Sequence, residues 1–492
     1  MSLSLPSRGQ DASAVLALPS YVQDEPGRLL VLFGWLVGPL LAGYMLFDRA
    51  FAYIHLPGTP LYVGETVLVV GALGCLTATG YLRVAIRDDP VLAILAVFFL
   101  WGFIRFLPGL RTYGVYAVRD FALVYYCLFA FFIAAALERS PDILERLIIQ
   151  LNRFVPWLLL WLPVGVILGR FVAAGPRVPF TAIPVVTHKP GDAAVAALVA
   201  LGSLWLFPAG RSARSRGLWS VVALLVIALV ATQNRGGLLA AAVGIAVGLA
   251  FFADRMRLIR WAVVVAAVMI GLGTLLSLQI AGNNNSQGRA FSASQLFANV
   301  ASIAGAHESG NQNGTVQGRL VLWSATLDKQ RSDDRLVYGY GFGTNLAYLA
   351  GGEIASGSLN SDPLRSPHNS HLDVLARLGI IGASLWIVLW VAWYSRLITG
   401  CRRLAQRALY TRRRVAVLCL MVVTASLVGS FFDPSLEGAE AAVLLWVPFG
   451  IGLVVTGSKG RYGDRDLHLD GVTAARRRPS GQASEGDGVG YR

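Results

Sequence analysis

Residues 29–47 read LLVLFGWLVGPLLAGYMLF, an uncharged apolar run of nineteen residues. A helix of that length rises about 28 Å, close to the roughly 30 Å hydrocarbon core of a bilayer. Similar runs recur along the chain of 492 residues, in which 55% of residues are hydrophobic and 14% are charged. A soluble globular protein has about 25% charged residues. The composition therefore indicates an all-α polytopic membrane protein and excludes a disordered chain, a coiled coil and an ordinary cytosolic enzyme.

About twelve runs are close to spanning length. We predict membrane helices at roughly 29–47, 62–82, 91–107, 120–137, 154–170, 192–208, 218–233, 237–253, 259–279, 378–396, 414–432 and 439–456. Charged residues, among them Arg8 and Asp24, precede the first run, so the N-terminus lacks the apolar region of a cleaved signal peptide. The first run is therefore expected to remain in the protein as a membrane helix.

Basic residues alternate across the predicted connections between spans. Of the 42 Lys and Arg residues, 27 fall on the two termini and every second connection, and 15 fall on the opposite side. By the positive-inside rule the richer side is cytoplasmic. This bias accounts for the net charge of +14 without a nucleic-acid partner. Both termini are expected in the cytoplasm.

The predicted organisation is a membrane domain with one large outer loop between spans nine and ten. Its parts are a cytoplasmic N-terminal tail (1–28), the membrane domain (29–456), an extracytoplasmic loop within it (281–370) and a disordered basic cytoplasmic tail (457–492). The loop has 90 residues, and a loop of that length is usually functional. Within it, Leu320, Trp323 and Leu327 share one stripe and predict an amphipathic helix.

Several outer basic residues adjoin predicted spans. Arg119 lies beside Asp120 at the mouth of span four, Lys189 precedes span six, and Arg235 lies in a turn with two glycines between spans seven and eight. A charge at membrane depth costs roughly 2.5–3.5 kcal/mol on insertion scales, so it normally has a partner or a function. For Arg119 the alternative to a function is an ion pair with Asp120, and for Arg235 it is contact with lipid headgroups. Since guanidinium groups form a fixed fork of hydrogen-bond donors, these basic residues favour a binding site for a lipid-linked phosphate or diphosphate.

Two histidines lie where the outer loop meets span ten. His368 and His371 belong to the stretch SPHNSH, residues 366–371, in which Pro precedes possible Asn and Ser caps and predicts a helix start. A histidine there can accept a proton from a hydroxyl near neutral pH, and the alternative is a capping or interfacial histidine. Their spacing would suit a shared metal, but no HExxH motif or third ligand stands nearby. We therefore expect no metal and no cofactor.

Three groups of motifs together resemble the O-antigen ligase/Wzy-type polymerase superfamily. They are residues 233–239 (QNRGGLL), residues 318–323 (GRLVLW) with 338–343 (YGYGFG), and residues 367–372 (PHNSHL) with 378–382 (LGIIG). The glycine-rich stretch 339–343 does not open a helix after a strand, so it is not read as a nucleotide site; the alternative is a tightly turned segment. The resemblance covers residues 218–396 best, and the first six spans match by topology.

The resemblance implies a metal-independent, inverting membrane glycosyltransferase of the GT-C type. It implies transfer of a glycan from undecaprenyl diphosphate to an acceptor glycan or lipid A core, at the outer face of the bacterial inner membrane, in lipopolysaccharide or exopolysaccharide biosynthesis. His368 matches the family's catalytic histidine, and Arg235 and Arg319 match arginines that hold the diphosphate. His371, which stands where the family often has Tyr, is a possible supporting residue together with Arg119 and Lys189.

Other activities share this pattern. The motifs do not separate a ligase from a polymerase or from a protein O-oligosaccharyltransferase. A polytopic lipid or polysaccharide transporter would also have about twelve spans, but it would normally show internal repeats and charges near span centres, and the sequence has neither. The sugar, the linkage, the acceptor, the oligomeric state and the choice between His368 and His371 as base stay open.

Overall fold

The chain folds as a bundle of helices. The computed structural model describes residues 27–56, 58–59, 61–169, 175–179, 181, 183–186, 188–208, 211–251, 295–296, 299, 311–351, 365–457 and 467. Within these ranges the only β-structure is two isolated bridges, His55 with Tyr62 and Arg177 with Pro184. The fold is all-α, as the composition predicts.

The helices are numbered in chain order over the described residues. They are α1 (Arg28–Phe47), α2 (Arg49–Ala52), α3 (Val63–Thr77), α4 (Thr79–Asp88), α5 (Pro90–Tyr113), α6 (Val115–Tyr125), α7 (Leu128–Arg139), α8 (Asp142–Leu168), α9 (Pro190–Leu206), α10 (Ala213–Ala231), α11 (Arg235–Phe251), α12 (Asn311–Ser332), α13 (Leu346–Leu349), α14 (Ser370–Gln406), α15 (Tyr410–Ser430) and α16 (Ala439–Thr456). A 3-10 turn, Ser435–Glu437, joins α15 to α16.

Seven of the described helices are long and apolar enough to cross a membrane, and nine spans result if each of two bent helix pairs counts as one. The bent pairs are α3 with α4 and α6 with α7, and α9 and α11 are shorter apolar helices. The protein is therefore a multi-pass membrane protein. The predicted span at 259–279 lies outside the described residues, so the count of twelve stays a prediction.

The second predicted span is wrong at its C-terminal end. Helix α3 ends at Thr77, and the chain turns by 93° into α4 instead of continuing straight to residue 82. The Thr77 hydroxyl donates back to the Leu73 and Gly74 carbonyls, a bond that competes with helix continuation. Helix α4 exposes Arg83 and Arg87 and buries Ala85, so it is amphipathic rather than spanning.

Helix α14 begins eight residues before the predicted start of span ten and is broken at Gly379. This glycine has φ 68° and ψ −170°, a conformation essentially restricted to glycine. The glycine-rich stretch 339–343 docks on the break, since the Tyr340 and Gly341 amides donate to the Ala376 and Arg377 carbonyls at 2.8 Å. The stretch is thus a tightly turned segment packed on α14, and its glycines allow this close approach.

Helix α12 confirms the predicted helix in the outer loop but not its predicted apolar stripe. Leu320 is 54% exposed, whereas Thr326 and Gln330 are buried. The Gln330 amide donates to the Leu375 carbonyl at 3.0 Å, and the Trp323 indole donates to the Pro367 carbonyl at 2.8 Å. Because these polar contacts hold α12 against the start of α14, hydrophobic periodicity did not predict its buried face.

Six helix ends meet at one end of the bundle. They are the C-terminal ends of α1 and α15 and the N-terminal ends of α9, α11, α14 and α16. Lys189 before α9 donates its amide to Asp48 after α1 and its ammonium to Glu440 in α16. Ser370 at the start of α14 donates to the Asp433 carbonyl after α15. These contacts bring together residues that are as far apart as 48 and 440 in the chain.

Candidate active site

His368 lies immediately before the N-cap of α14. Asn369 is that cap, as predicted: its side-chain oxygen accepts from the His371 and Leu372 amides at 3.0 and 3.1 Å. The His368 backbone has φ 57°, in the left-handed region that non-glycine residues rarely adopt. Pro367 on its other side accepts the Trp323 indole bond. His368 itself is not the cap, and the backbone is held on both sides of it.

His371 has both ring nitrogens engaged in hydrogen bonds. Its Nδ1 accepts from the Trp386 indole at 3.0 Å, because an indole N–H can only donate. Its Nε2 therefore carries the proton and donates to the Leu427 carbonyl at 3.0 Å, with the Ser430 hydroxyl 3.1 Å away. These bonds fix the ring inside the bundle against Phe431 and Trp386.

Charged groups from three other elements surround His368. Burial lowers the pKa of His368, Asp433 opposes this, and Arg319 and Lys189 lower the pKa further. Burial likewise lowers the pKa of Arg319. The Asp433 carboxylate opposes this shift, and the positive charge of Arg235 adds to it. Such electrostatic effects require short separations. Asp433 acts on both His368 and Arg319, and Arg235 acts on Arg319, so these charged groups lie in one region of the bundle. The sequence analysis did not single out Asp433.

Arg235 is the first residue of α11. The turn before it comprises residues 232–234, and the Asn234 side chain accepts from the Gly237 amide at 2.9 Å. The two glycines lie in the first turn of α11 rather than in the turn between the helices. A Cβ on Gly236 would press against Phe432 at 2.9 Å, and one on Gly237 would lie 3.1 Å from Gly191. Their small size lets α11 approach α9 and the Asp433 segment closely.

Lys189 lies among three carboxylates next to this group. Its ammonium is 3.2 Å from Glu440 and 3.9 Å from Asp192, and its amide donates to Asp48 at 2.5 Å. Ligand oxygens of the three acids lie within 4.8 Å of one another, a spacing that could hold a metal ion. Burial, with a contribution from Glu440, raises the pKa of Asp48 to about 7, against the opposing effect of Lys189. A cluster of acidic groups around a lysine therefore flanks the site.

Asp120 is not paired with Arg119. It is 1% exposed and contacts the Arg377 guanidinium at 2.9 Å and that of Arg365 at 3.3 Å. It also accepts from the Gly343 amide at 3.0 Å. Arg119 is exposed. The Asp120 carboxylate thus fixes the glycine-rich stretch and the segment that leads to His368. Arg119 acts on this network only at Glu437, the second partner of Arg377.

Sequence reasoning missed Asp433, Glu440 and Arg377. Asp433 lies in the short connection between the last two predicted spans, and Glu440 lies just after that connection. A carboxylate at the end of an apolar run indicates a candidate functional residue. Arg377 lies immediately before the predicted span 378–396 and is fully buried between Asp120 and Glu437. Nothing in its neighbours along the chain indicates that burial.

Residues 220–387, about a third of the chain, match the family model described as O-antigen ligase. No curated protein matches the chain at a significant level. The matched segment runs from α10 into α14 and contains Arg235, Arg319 and His368. Lys189, Asp433 and the acidic cluster lie outside it.

The fold and the matched segment define a multi-pass membrane protein with an O-antigen ligase domain. The match of residues 220–387 supports membership of the O-antigen ligase/Wzy-type family. This membership supports ligase-type or polymerase-type activity in surface polysaccharide biosynthesis, on lipid-linked glycans and polysaccharide acceptors in general.

Proposed function

We propose that this protein transfers a glycan from undecaprenyl diphosphate to an acceptor hydroxyl, at the outer face of the bacterial inner membrane. The observation that supports the proposal is the electrostatic effect of Arg235 on Arg319 and of Arg319 on His368. These residues come from three separate elements, and all of them lie in the O-antigen ligase domain.

The two arginines are the proposed diphosphate ligands. Arg235 contributes to lowering the pKa of Arg319, so two partly buried positive charges face one region. The cost of this repulsion is relieved when a diphosphate binds between them. As the glycosidic bond breaks, charge develops on the bridging oxygen, and donors already in place stabilise it without rearrangement.

His368 is the proposed general base. Its lowered pKa keeps the imidazole neutral near pH 7, which is the form that accepts a proton. Asp433 stabilises the imidazolium after proton transfer, since its negative charge favours the protonated ring. His371 is the less suitable base because its two nitrogens already hold Trp386 and Leu427.

The proposed reaction is a single displacement. The acceptor oxygen forms a bond to the anomeric carbon while the bond from that carbon to the phosphate oxygen breaks. The acceptor proton moves to His368, and undecaprenyl diphosphate leaves with the electron pair. Attack opposite the leaving group inverts the anomeric centre.

We also propose that the reaction needs no metal ion. The Lys189 ammonium lies between Glu440 and Asp192 and supplies positive charge among the carboxylates that would otherwise bind a cation. Lys189 is thereby a support of the site, through its effect on His368.

The purified protein tests these proposals directly. With an undecaprenyl diphosphate-linked glycan, an acceptor glycan and excess EDTA, we expect transfer with equimolar release of undecaprenyl diphosphate and an inverted linkage by NMR. A retained linkage contradicts the displacement, and inhibition by EDTA that Mg²⁺ reverses contradicts the metal-free step. In cells, gene deletion that leaves full-length unlinked polymer indicates a ligase, and loss of polymer length indicates a polymerase.

A further inference from the structure

Three carboxylates from three elements converge at the end of the bundle that holds the candidate active site. Asp48 follows α1, Asp192 lies in the first turn of α9, and Glu440 lies in the first turn of α16. The ligand oxygens of the three residues lie within 4.8 Å of one another. Hard divalent cations such as Mg²⁺ and Mn²⁺ take carboxylate oxygens as ligands. The set therefore has the chemistry of a divalent-cation site.

Two buried acceptor atoms of this cluster have no hydrogen-bond partner among the described residues. They are Asp48 Oδ1 and His188 Nδ1, and each side chain is 1% exposed. The neutral His188 ring carries its proton on Nε2, because this nitrogen lies 2.9 Å from the Met45 carbonyl, which can only accept. Its Nδ1 thus presents a lone pair 3.6 Å from Asp48 Oδ2. Buried lone pairs that face each other without a donor favour a positive charge between the groups that carry them.

The Lys189 ammonium supplies that positive charge. It lies 3.2 Å from Glu440 Oε1 and 3.9 Å from Asp192 Oδ2, and the Lys189 backbone amide donates to Asp48 Oδ2. Arg49 also lies 3.9 Å from Glu440, but its side chain is 48% exposed, so solvent screens its charge. Lys189 is therefore the main positive charge among the three carboxylates in the part of the chain that the structure describes.

We propose that Asp48, Asp192 and Glu440 form a divalent-cation site that the Lys189 ammonium fills, so that Lys189 takes the place of a metal ion next to the candidate active site. The inference rests on the proposed metal-free reaction and adds the ligand set and the kind of ion that Lys189 replaces. Lys189 is a positioning residue, since its charge holds the three carboxylates together and acts on His368 from the side of the site. Without the ammonium, repulsion among the carboxylates is relieved by a bound cation, which also displaces protons from them.

Removal of the ammonium tests the proposal. The full-length Lys189→Ala variant in detergent should bind one Mn²⁺ per chain, measured by electron paramagnetic resonance of the free ion, with an affinity at least roughly tenfold above that of the wild type. Adding Glu440→Gln should remove this gain, because it removes a ligand. Lys329→Ala is the matched control, since Lys329 pairs with Asp333 at 2.7 Å but is 42% exposed on α12, and it should gain no binding.

Thermal stability and glycan transfer give two further measures. Mn²⁺ should raise the melting temperature of Lys189→Ala and leave that of the wild type unchanged, because a ligand of the folded state stabilises it. This shift reports binding even if the variant is less stable. Glycan transfer should fall in Lys189→Ala and recover in part with Mn²⁺. A loss that the ion does not reverse would make Lys189 a structural residue and overturn its role as a replacement for the ion.

The outcomes separate this inference from the proposed function. The cation site is overturned if Lys189→Ala gains no Mn²⁺ by either binding measure, if the wild type binds the ion equally well, or if the gain survives Glu440→Gln. If Lys189→Ala gains the ion while the wild type transfers no glycan, the cation site stands and the proposed function fails. If transfer depends on His368 while Lys189→Ala gains no ion, the reverse holds.

Discussion

The backbone of His368 has φ 57°, which costs a non-glycine residue on the order of 1–3 kcal/mol. Such strain persists where the surroundings hold it in place, and here the Asn369 cap and the Trp323–Pro367 bond do so. Maintained backbone strain of this kind is concentrated at functional sites, which favours a functional role for His368 over a packing role.

Replacement of His368 should abolish transfer without unfolding the protein. We expect His368→Ala to reduce turnover roughly 10²–10⁴-fold, the usual contribution of a positioned general base. Transfer to the acceptor is measured with purified protein, and size-exclusion chromatography checks folding. His55→Ala is the control, since His55 is another predicted outer histidine outside the site. Normal turnover in His368→Ala would exclude this residue as the base.

Asp433 should set the pH dependence through His368. Its carboxylate raises the His368 pKa against the lowering by burial, so Asp433→Asn removes a group that favours the protonated ring. The pKa of His368 then falls, and the acid limb of the kcat/KM profile moves to lower pH. Asp433→Glu keeps the charge and should leave the limb near its wild-type position. An unmoved or upward-shifted limb in Asp433→Asn would show that the limb does not report His368.

Among single residues, the sequence singles out those that stand within motifs more readily than those that come together only in the folded chain. Arg235, Arg319 and His368 each stand in a recognisable local pattern. Asp433 becomes informative only because Ser370 binds its carbonyl and so places it beside the start of α14. Arg119, by contrast, adjoins Asp120 in the sequence, but the Asp120 carboxylate pairs with Arg377 and Arg365.

Among the elements, α14 depends most on a single residue. We expect Gly379→Ala to destabilise the protein, since its backbone conformation is essentially restricted to glycine and a Cβ would collide with the Val337 carbonyl. The conformation alone costs about 1–3 kcal/mol. Thermal denaturation followed by size-exclusion chromatography should show a lower midpoint.

Gly80→Ala provides the comparison for this substitution. Gly80 lies in α4, and a Cβ at this position would have no neighbouring atom within 4 Å. Alanine is favoured over glycine inside a helix by about 0.5–1 kcal/mol. The midpoint of Gly80→Ala should therefore be unchanged or slightly raised, and equal losses in both variants would argue against a special role for Gly379.

Hydropathy predicts those elements whose limits the bilayer sets. The predicted span 439–456 coincides with α16 because that helix is apolar apart from Glu440 in its first turn and ends with its apolar run. Hydropathy alone misplaces the start of α14 and the end of α3, but the SPHNSH stretch correctly predicts the start of α14 at its cap, Asn369. The Asn369 cap extends α14 past the apolar run, and the Thr77 back-bond accompanies the early end of α3.

For the whole molecule, the testable property is its orientation. The four native cysteines are buried, so they give little background in thiol labelling. Ser324→Cys on the exposed side of α12 should react with an impermeant maleimide in intact spheroplasts. Asp88→Cys, exposed at the end of α4, should react only after lysis. The opposite pattern would invert the predicted topology.

The contacts of Asp120 have a consequence for how the chain tolerates changes in length. Its carboxylate holds both Gly343 and Arg365, so the two ends of the stretch between them are anchored at one point. The entropy of closing a loop between fixed ends grows only slowly with its length. Insertions within residues 352–364 should therefore cost little folding free energy and leave the His368 turn in register. Loss of the Asp120 carboxylate, by contrast, should release Gly343 and Arg365 together.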